Sequence, residues 1–132
     1  MKRIVALLCI SLLFIGCETL SYEKSFNRLV ENIKHERIGI VTSTFSPREN
    51  MKPTHFVINS IDTISPTNSL VMDELYIGDK IVKNSSDNII KIFKSDTLFK
   101  KTWMYKIPEK CRKDRRFPTD WKTKWIEATM ME

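Results

Sequence analysis

The N-terminal stretch from Met1 to Cys17 does most to limit what this chain can fold into. Lys2 and Arg3 precede an apolar run from Ile4 to Ile15, which Gly16 and Cys17 close. The run is about a dozen residues long, whereas a helix that crosses a bilayer needs roughly 20. A charged start, a short apolar core and a small residue before the cut are the anatomy of an export signal. The expected cleavage follows Gly16, which leaves 116 of the 132 residues to build the fold. That length predicts one domain with a modest core.

The residues Phe14-Ile15-Gly16-Cys17 resemble the bacterial lipobox, with Phe14 where that family usually carries Leu. The resemblance implies that the Cys17 thiol receives a diacylglyceryl group and that a lipoprotein signal peptidase cuts between Gly16 and Cys17. It implies further that the new amine takes an acyl chain such as palmitate. One chain gives reversible binding, and two or more give stable anchoring. Glu18 follows the cysteine. By similarity to lipoprotein sorting in diderm bacteria, a residue other than Asp there implies the outer membrane. The implied location is the cell envelope, membrane-anchored and facing the periplasm or the surface, with residues 17–20 as a lipidated linker and 21–132 as the domain.

Without Lys2 and Arg3 the chain carries 20 basic and 16 acidic residues. Residues 17–99 have net charge −1 and residues 100–132 have +5. Such asymmetry concerns partners rather than fold. Cys111 is the one cysteine beyond Cys17. No disulfide can form within the expected mature domain, so packing must hold it.

From Ser21 to Glu36 the apolar residues Tyr22, Phe26, Leu29, Val30 and Ile33 fall on one stripe of a 3.6-residue period. The opposite face carries Glu23, Lys24, Asn27, Glu31 and Lys34. An amphipathic helix is expected, with Ser21 as N-cap and its stripe on the domain's own sheet or on the membrane. Gly39 marks a change of period. Residues 38–45, 54–61, 80–83 and 89–93 are β-branched and short and read as strands. Asn84 to Asn88 turns a hairpin. Residues 65–69 read as a turn and 70–77 as a turn leading into extended chain. Residues 97–107 read as a further strand, and 108–118 as a charged loop. Thr119 or Asp120 caps a final short helix bearing Trp121 and Trp125. The expected fold is α+β: the helix packed on a small antiparallel sheet of about five strands, open or curled into a barrel, with a short C-terminal helix.

From Arg37 to Asp96 the order of these elements includes Gly78-Asp79-Lys80-Ile81-Val82-Lys83, a polar turn and an Ile-rich strand. It resembles a group of small exported proteins of Bacteroidota-type bacteria that share Gly-Asp-x-Ile-x-Lys at a hairpin. The resemblance covers about half the mature chain. It implies fold and compartment, and no activity.

Chemistry-bearing patterns are sparse. His35, His55 and Cys111 are the nitrogen and sulfur candidates for a metal beyond Cys17, and none stands at ligand spacing from another. There is no G-x-S-x-G or H-E-x-x-H motif. Asp73 and Glu74 are adjacent and would face opposite ways in a strand, unlike a glycosidase pair. Neither catalysis nor a cofactor is expected. The candidate surface is basic and aromatic: Arg112, Arg115 and Arg116 with Trp103, Trp121 and Trp125. Cations interleaved with rings suit nucleic acid in a cytosolic protein. In an envelope they suit anionic lipid, lipopolysaccharide, acidic glycan or a protein partner. Stronger than either is the reading in which the same tryptophans complete the core and the lysines are its solvated face. The expected role is a non-enzymatic, lipid-anchored envelope protein with such a partner. The rival is a lipid-anchored immunity or inhibitor protein against a toxin or hydrolase.

Overall fold

The computed structural model describes residues 2–51, 53–64, 75–95 and 100–131, with side chains from Glu18 onward except that of Lys100. The turn expected at 65–69, residues 70–74 with Asp73 and Glu74, and residues 97–99 lie outside that set. The chain divides into two units, Met1–Asn32 and Ile33–Glu132.

The first unit is nearly all of helix α1, Lys2–Lys34. The expected helix began at Ser21; the observed one continues unbroken from the apolar N-terminal run. No proline interrupts residues 2–34, and Gly16 alone is too weak a breaker, costing about 1 kcal/mol relative to Ala. Residues 17–20, expected as a linker, are helical. Among the described residues no helix is long and apolar enough to cross a membrane.

The second unit is built on an antiparallel sheet. Its strands are β1 (Arg37–Phe45), β2 (His55–Ile58), β3 (Asp62–Ile64), β4 (Lys80–Lys83), β5 (Ile89–Phe93) and β6 (Lys100–Met104). Their spatial order is β3-β2-β1-β4-β5-β6. Six strands replace the expected five because the predicted strand 54–61 ends early. Asn59 and Ser60 take positive φ, turning the chain back into β3. The sheet is open, with β3 and β6 as edges, and is not a barrel. Val41, Phe56, Ile58, Ile64, Ile81, Ile90, Ile92 and Trp103 are buried. Thr42 is an extra residue between the Val41–Ile58 and Ser43–Val57 pairs. This bulge re-phases the strand, so that Phe45 and His55 stack 4.8 Å apart.

Two glycines matter to this register. A Cβ on Gly39 would overlap the Asn59 side chain, which accepts from Ile40 N at 2.9 Å and donates to Ile38 O at 3.3 Å. Gly78 has φ +95°, a region open to glycine and strained for other residues.

The Gly-Asp-x-Ile-x-Lys segment is structural throughout. After Gly78, the buried Asp79 accepts from Tyr76 N at 2.9 Å and from Lys94 Nζ at 2.7 Å. Ile81 enters the core. Lys83 is fully buried. Its Nζ donates to Ile33 O at 2.7 Å, His35 O at 2.6 Å and Asn84 O at 3.2 Å. Ser86 N and Ser85 Oγ donate to Lys34 O. The C-terminal carbonyls of a helix lack intrahelical donors, and here a lysine and a turn from the sheet supply them.

Candidate functional site

The C-terminal segment forms a closed module. Ile107–Pro108 (β7) and Thr129–Met130 (β8) pair in parallel, so the chain between them leaves and returns at one place. The loop expected over 108–118 contains helix α2, Glu109–Lys113. Pro108, with φ −56°, is preorganised to start it, and proline at a helix start forfeits no hydrogen bond. The expected final helix is replaced by two single 3-10 turns, Thr119–Trp121 and Ile126–Ala128. Helix cannot continue between them because Trp125 sits in the left-handed region at φ 52°, ψ 46°.

Arg112 explains that conformation. Its Nη1 donates to Trp121 O at 3.0 Å, Lys122 O at 2.9 Å and Lys124 O at 2.8 Å, and its Nη2 donates to Trp125 O at 2.9 Å. One guanidinium thus gathers four carbonyls of one turn, which a rigid fork can do and a lysine cannot. Burial lowers the Arg112 pKa, and the charge of Glu127 opposes the shift; a guanidinium stays cationic regardless. A left-handed backbone is uncommon at a bulky residue.

An aromatic series runs outward through the module. Phe117 and Trp121 are buried, with ring centroids 5.9 Å apart. Trp121 meets Trp125 edge to face at 5.8 Å. Trp125 is only half-buried, and Lys124 Nζ lies 5.9 Å from its ring centre. Ile126 beside it is exposed. Residues 109–125 carry seven basic and three acidic side chains. The acids pair locally: Glu109 with Lys113, Asp114 with Arg116, and Asp120 with Lys124. The pairs Glu109–Lys113 and Asp120–Lys124 hold about 0–1 kcal/mol each and yield readily to a competing anion, whereas Arg116 grips Asp114 through both Nε and Nη2.

The six sequence-derived candidates therefore separate. Trp103 lies in the sheet core, 4.8 Å from the Tyr105 ring, outside the module. Trp121 is interior and Arg112 is committed to the backbone. Arg115 and Arg116 are exposed and Trp125 half-exposed, and these remain as surface. The Cys17 side chain lies outside the described residues, and Cys111 is a buried thiol. Among the described residues no group of three or more His, Cys, Asp or Glu could hold a metal ion. Arg37, Lys83 and Tyr105, outside the six candidates, carry buried polar atoms. The phase of alternation was the available signal for two of them, since Lys83 shares a strand face with Ile81, and Arg37 with Val41.

No family model, curated protein or solved structure matches this chain.

Proposed function

We propose that this chain is an exported, lipid-anchored protein of the bacterial cell envelope whose C-terminal module docks on the anionic membrane to which Cys17 tethers it. The observation that carries the docking is Trp125, held in a left-handed backbone by the four-carbonyl grip of Arg112. Strain maintained by surrounding structure tends to mark a working position. Trp125 meets the buried Trp121 along one edge and is only half-buried, which leaves part of its ring open to solvent. An amphipathic indole suits the headgroup depth of a bilayer. Arg115, Arg116, Lys122 and Lys124 flank it in sequence, and each basic residue near an anionic surface contributes about 1 kcal/mol. The anchor supports the reading, because tethering makes a weak second contact effectively intramolecular.

Two experiments test the two halves. Fatty-acid labelling and membrane retention should be lost on Cys17→Ser. The Cys17→Ser chain should cosediment with phosphatidylglycerol-containing vesicles, with a blue shift of Trp emission, and should ignore phosphatidylcholine alone. Trp125→Ala should abolish the shift, and Arg115→Glu with Arg116→Glu should weaken binding at least tenfold. Binding unchanged in both variants would remove the module from the function.

A further inference from the structure

The sheet has a second face, opposite the core. Val41, Ile81, Ile90 and Trp103 take the buried side, so alternation places Ile38, Ile40, Val82, Ile89, Phe93 and Met104 on the other. The register sets Ile38 beside Val82 and Ile89 beside Met104. Ile38 and Ile40 are 48% and 49% exposed, and the other four are half-buried. An antiparallel sheet with one wet face alternates apolar and polar residues. Strands β4 and β5 depart from that rule: Ile81-Val82, Ile89-Ile90 and Ile92-Phe93 set apolar residues on both faces. Such strands are composed for cover on both sides, and helices are the common cover of a sheet.

Two lysines define the chemistry of that cover. Lys80 on β4 lies between Ile40 and Phe93 in the register, and Lys91 on β5 lies between Val82 and Thr102. They are diagonal neighbours on adjacent strands, a spacing of about 7–8 Å. Neither side chain has an ion-pair or hydrogen-bond partner among the described residues. Strands β1, β4, β5 and β6 contain no Asp or Glu. A second copy packed on this face would set lysines against lysines. Lipid contact calls for protruding side chains, whereas four of the six apolar residues are half-buried among their neighbours. On a helix, two acidic residues one turn apart have Cβ atoms about 5–6 Å apart, a spacing that flexible lysine stems on the diagonal can meet.

We infer that this face of the sheet is a docking surface for an amphipathic helix of a protein partner, with two acidic residues one turn apart in its apolar stripe. The stripe covers Ile38, Ile40 and Phe93, and the carboxylates pair with Lys80 and Lys91. The surface shares no residue with the C-terminal module and does not rest on the membrane docking proposed above.

Fluorescence anisotropy with the full chain in nonionic detergent tests it. The probes are labelled Ala-rich peptides of about 20 residues, long enough to be helical in water. Each carries a Leu stripe that holds either two Glu at i and i+4 or two Lys there. The Glu peptide should bind with saturation, at least tenfold tighter than the Lys peptide. Lys80→Glu with Lys91→Glu should reverse that preference, a gain of binding that misfolding cannot produce. Ile40→Ser changes an exposed residue, so it should leave Tm nearly unchanged and weaken the Glu peptide about tenfold. Equal affinity for the two peptides, or none for either, would overturn the inference. So would a wild-type dimer that Ile40→Ser splits in sedimentation, which would make a second copy the occupant. Phosphatidylglycerol vesicles provide the last arm, with the Cys17→Ser, Trp125→Ala chain. If adding Lys80→Glu and Lys91→Glu lowers its cosedimentation, the membrane is the occupant and the inference is again overturned.

Discussion

Arg112→Ala is the sharpest perturbation available in the C-terminal module. It removes four hydrogen bonds from one charged donor group, at 2.8–3.0 Å. A hydrogen bond to a charged group contributes about 1.5–3 kcal/mol, so simple addition would give roughly 6–12 kcal/mol. That sum is too large for three reasons. Nη1 has two protons for three acceptors, so its bonds are shared. The Lys124 carbonyl is exposed and water replaces the lost donor. The left-handed strain at Trp125, on the order of 1–2 kcal/mol, is released once the turn opens. The expected net cost is about 3 kcal/mol, which in a chain of this size lowers Tm by roughly 12 °C. Arg112→Lys should recover less than half, because an ammonium cannot span four carbonyls. Urea unfolding of the full chain in detergent gives the magnitude, and near-ultraviolet circular dichroism reports the Trp121–Trp125 contact. The decisive comparison is the cycle with Trp125→Gly. Glycine accepts positive φ without strain, so the two substitutions should be coupled and cost less together than the sum of the singles. Additive costs, or a single-variant cost below about 1 kcal/mol, would refute the account of Arg112 as the group that fixes Trp125.

Two further outcomes are expected. Lys83 titrates at about 8 rather than 10.5, chiefly through burial and then through Arg37, with Asp87 opposing. The folded pKa is depressed, so Lys83's contribution is present above pH 10.5 and lost as pH falls through 8. The unfolding free energy should therefore rise between pH 8 and 10, within a ceiling of about 3 kcal/mol over the full window. Lys83→Met should flatten that slope in urea titrations, and an unchanged slope would exclude Lys83 as its source. Above pH 10 the raised pKa of Tyr105 acts in the opposite sense, since the unfolded phenol ionises first. Gly39→Ala should cost about 1–3 kcal/mol by overpacking, because the new Cβ displaces Asn59 from the β1–β2 ladder. Chemical denaturation checks the magnitude, and a neutral effect would show that Asn59 can leave freely.

Local chemistry was largely legible in the sequence. The strand Lys80–Lys83, the strand Ile89–Phe93 and the hairpin between them followed from alternation and a polar turn, since adjacent strands need little beyond period and turn residues. The stripe on α1 was visible for the same reason. The start of α1 was not, because the apolar run read as a separate segment, although no proline and only Gly16 interrupt the helix propensity of residues 2–34. The early end of β2 was hidden because the positive φ at Asn59 and Ser60 depends on Asn59 meeting β1 across Gly39, a contact between residues distant in sequence. Helix α2 was missed because a five-residue element has too few positions to show a period.

The candidate site divides along the same line. Composition alone established a basic, aromatic C-terminus, because charge and ring content add up regardless of conformation. Which of those residues face solvent was decided by tertiary structure. Trp121 and Trp125 occupy equivalent positions in a helical reading, yet one is interior and the other stands at the surface. The difference arises because Arg112 closes the turn between them on four carbonyls. Likewise, the sequence contains Arg37 and Lys83 as two cations far apart along the chain. Only the pairing of β1 with β4 sets them opposite each other and buries the lysine, because cross-strand neighbours and burial are products of the fold.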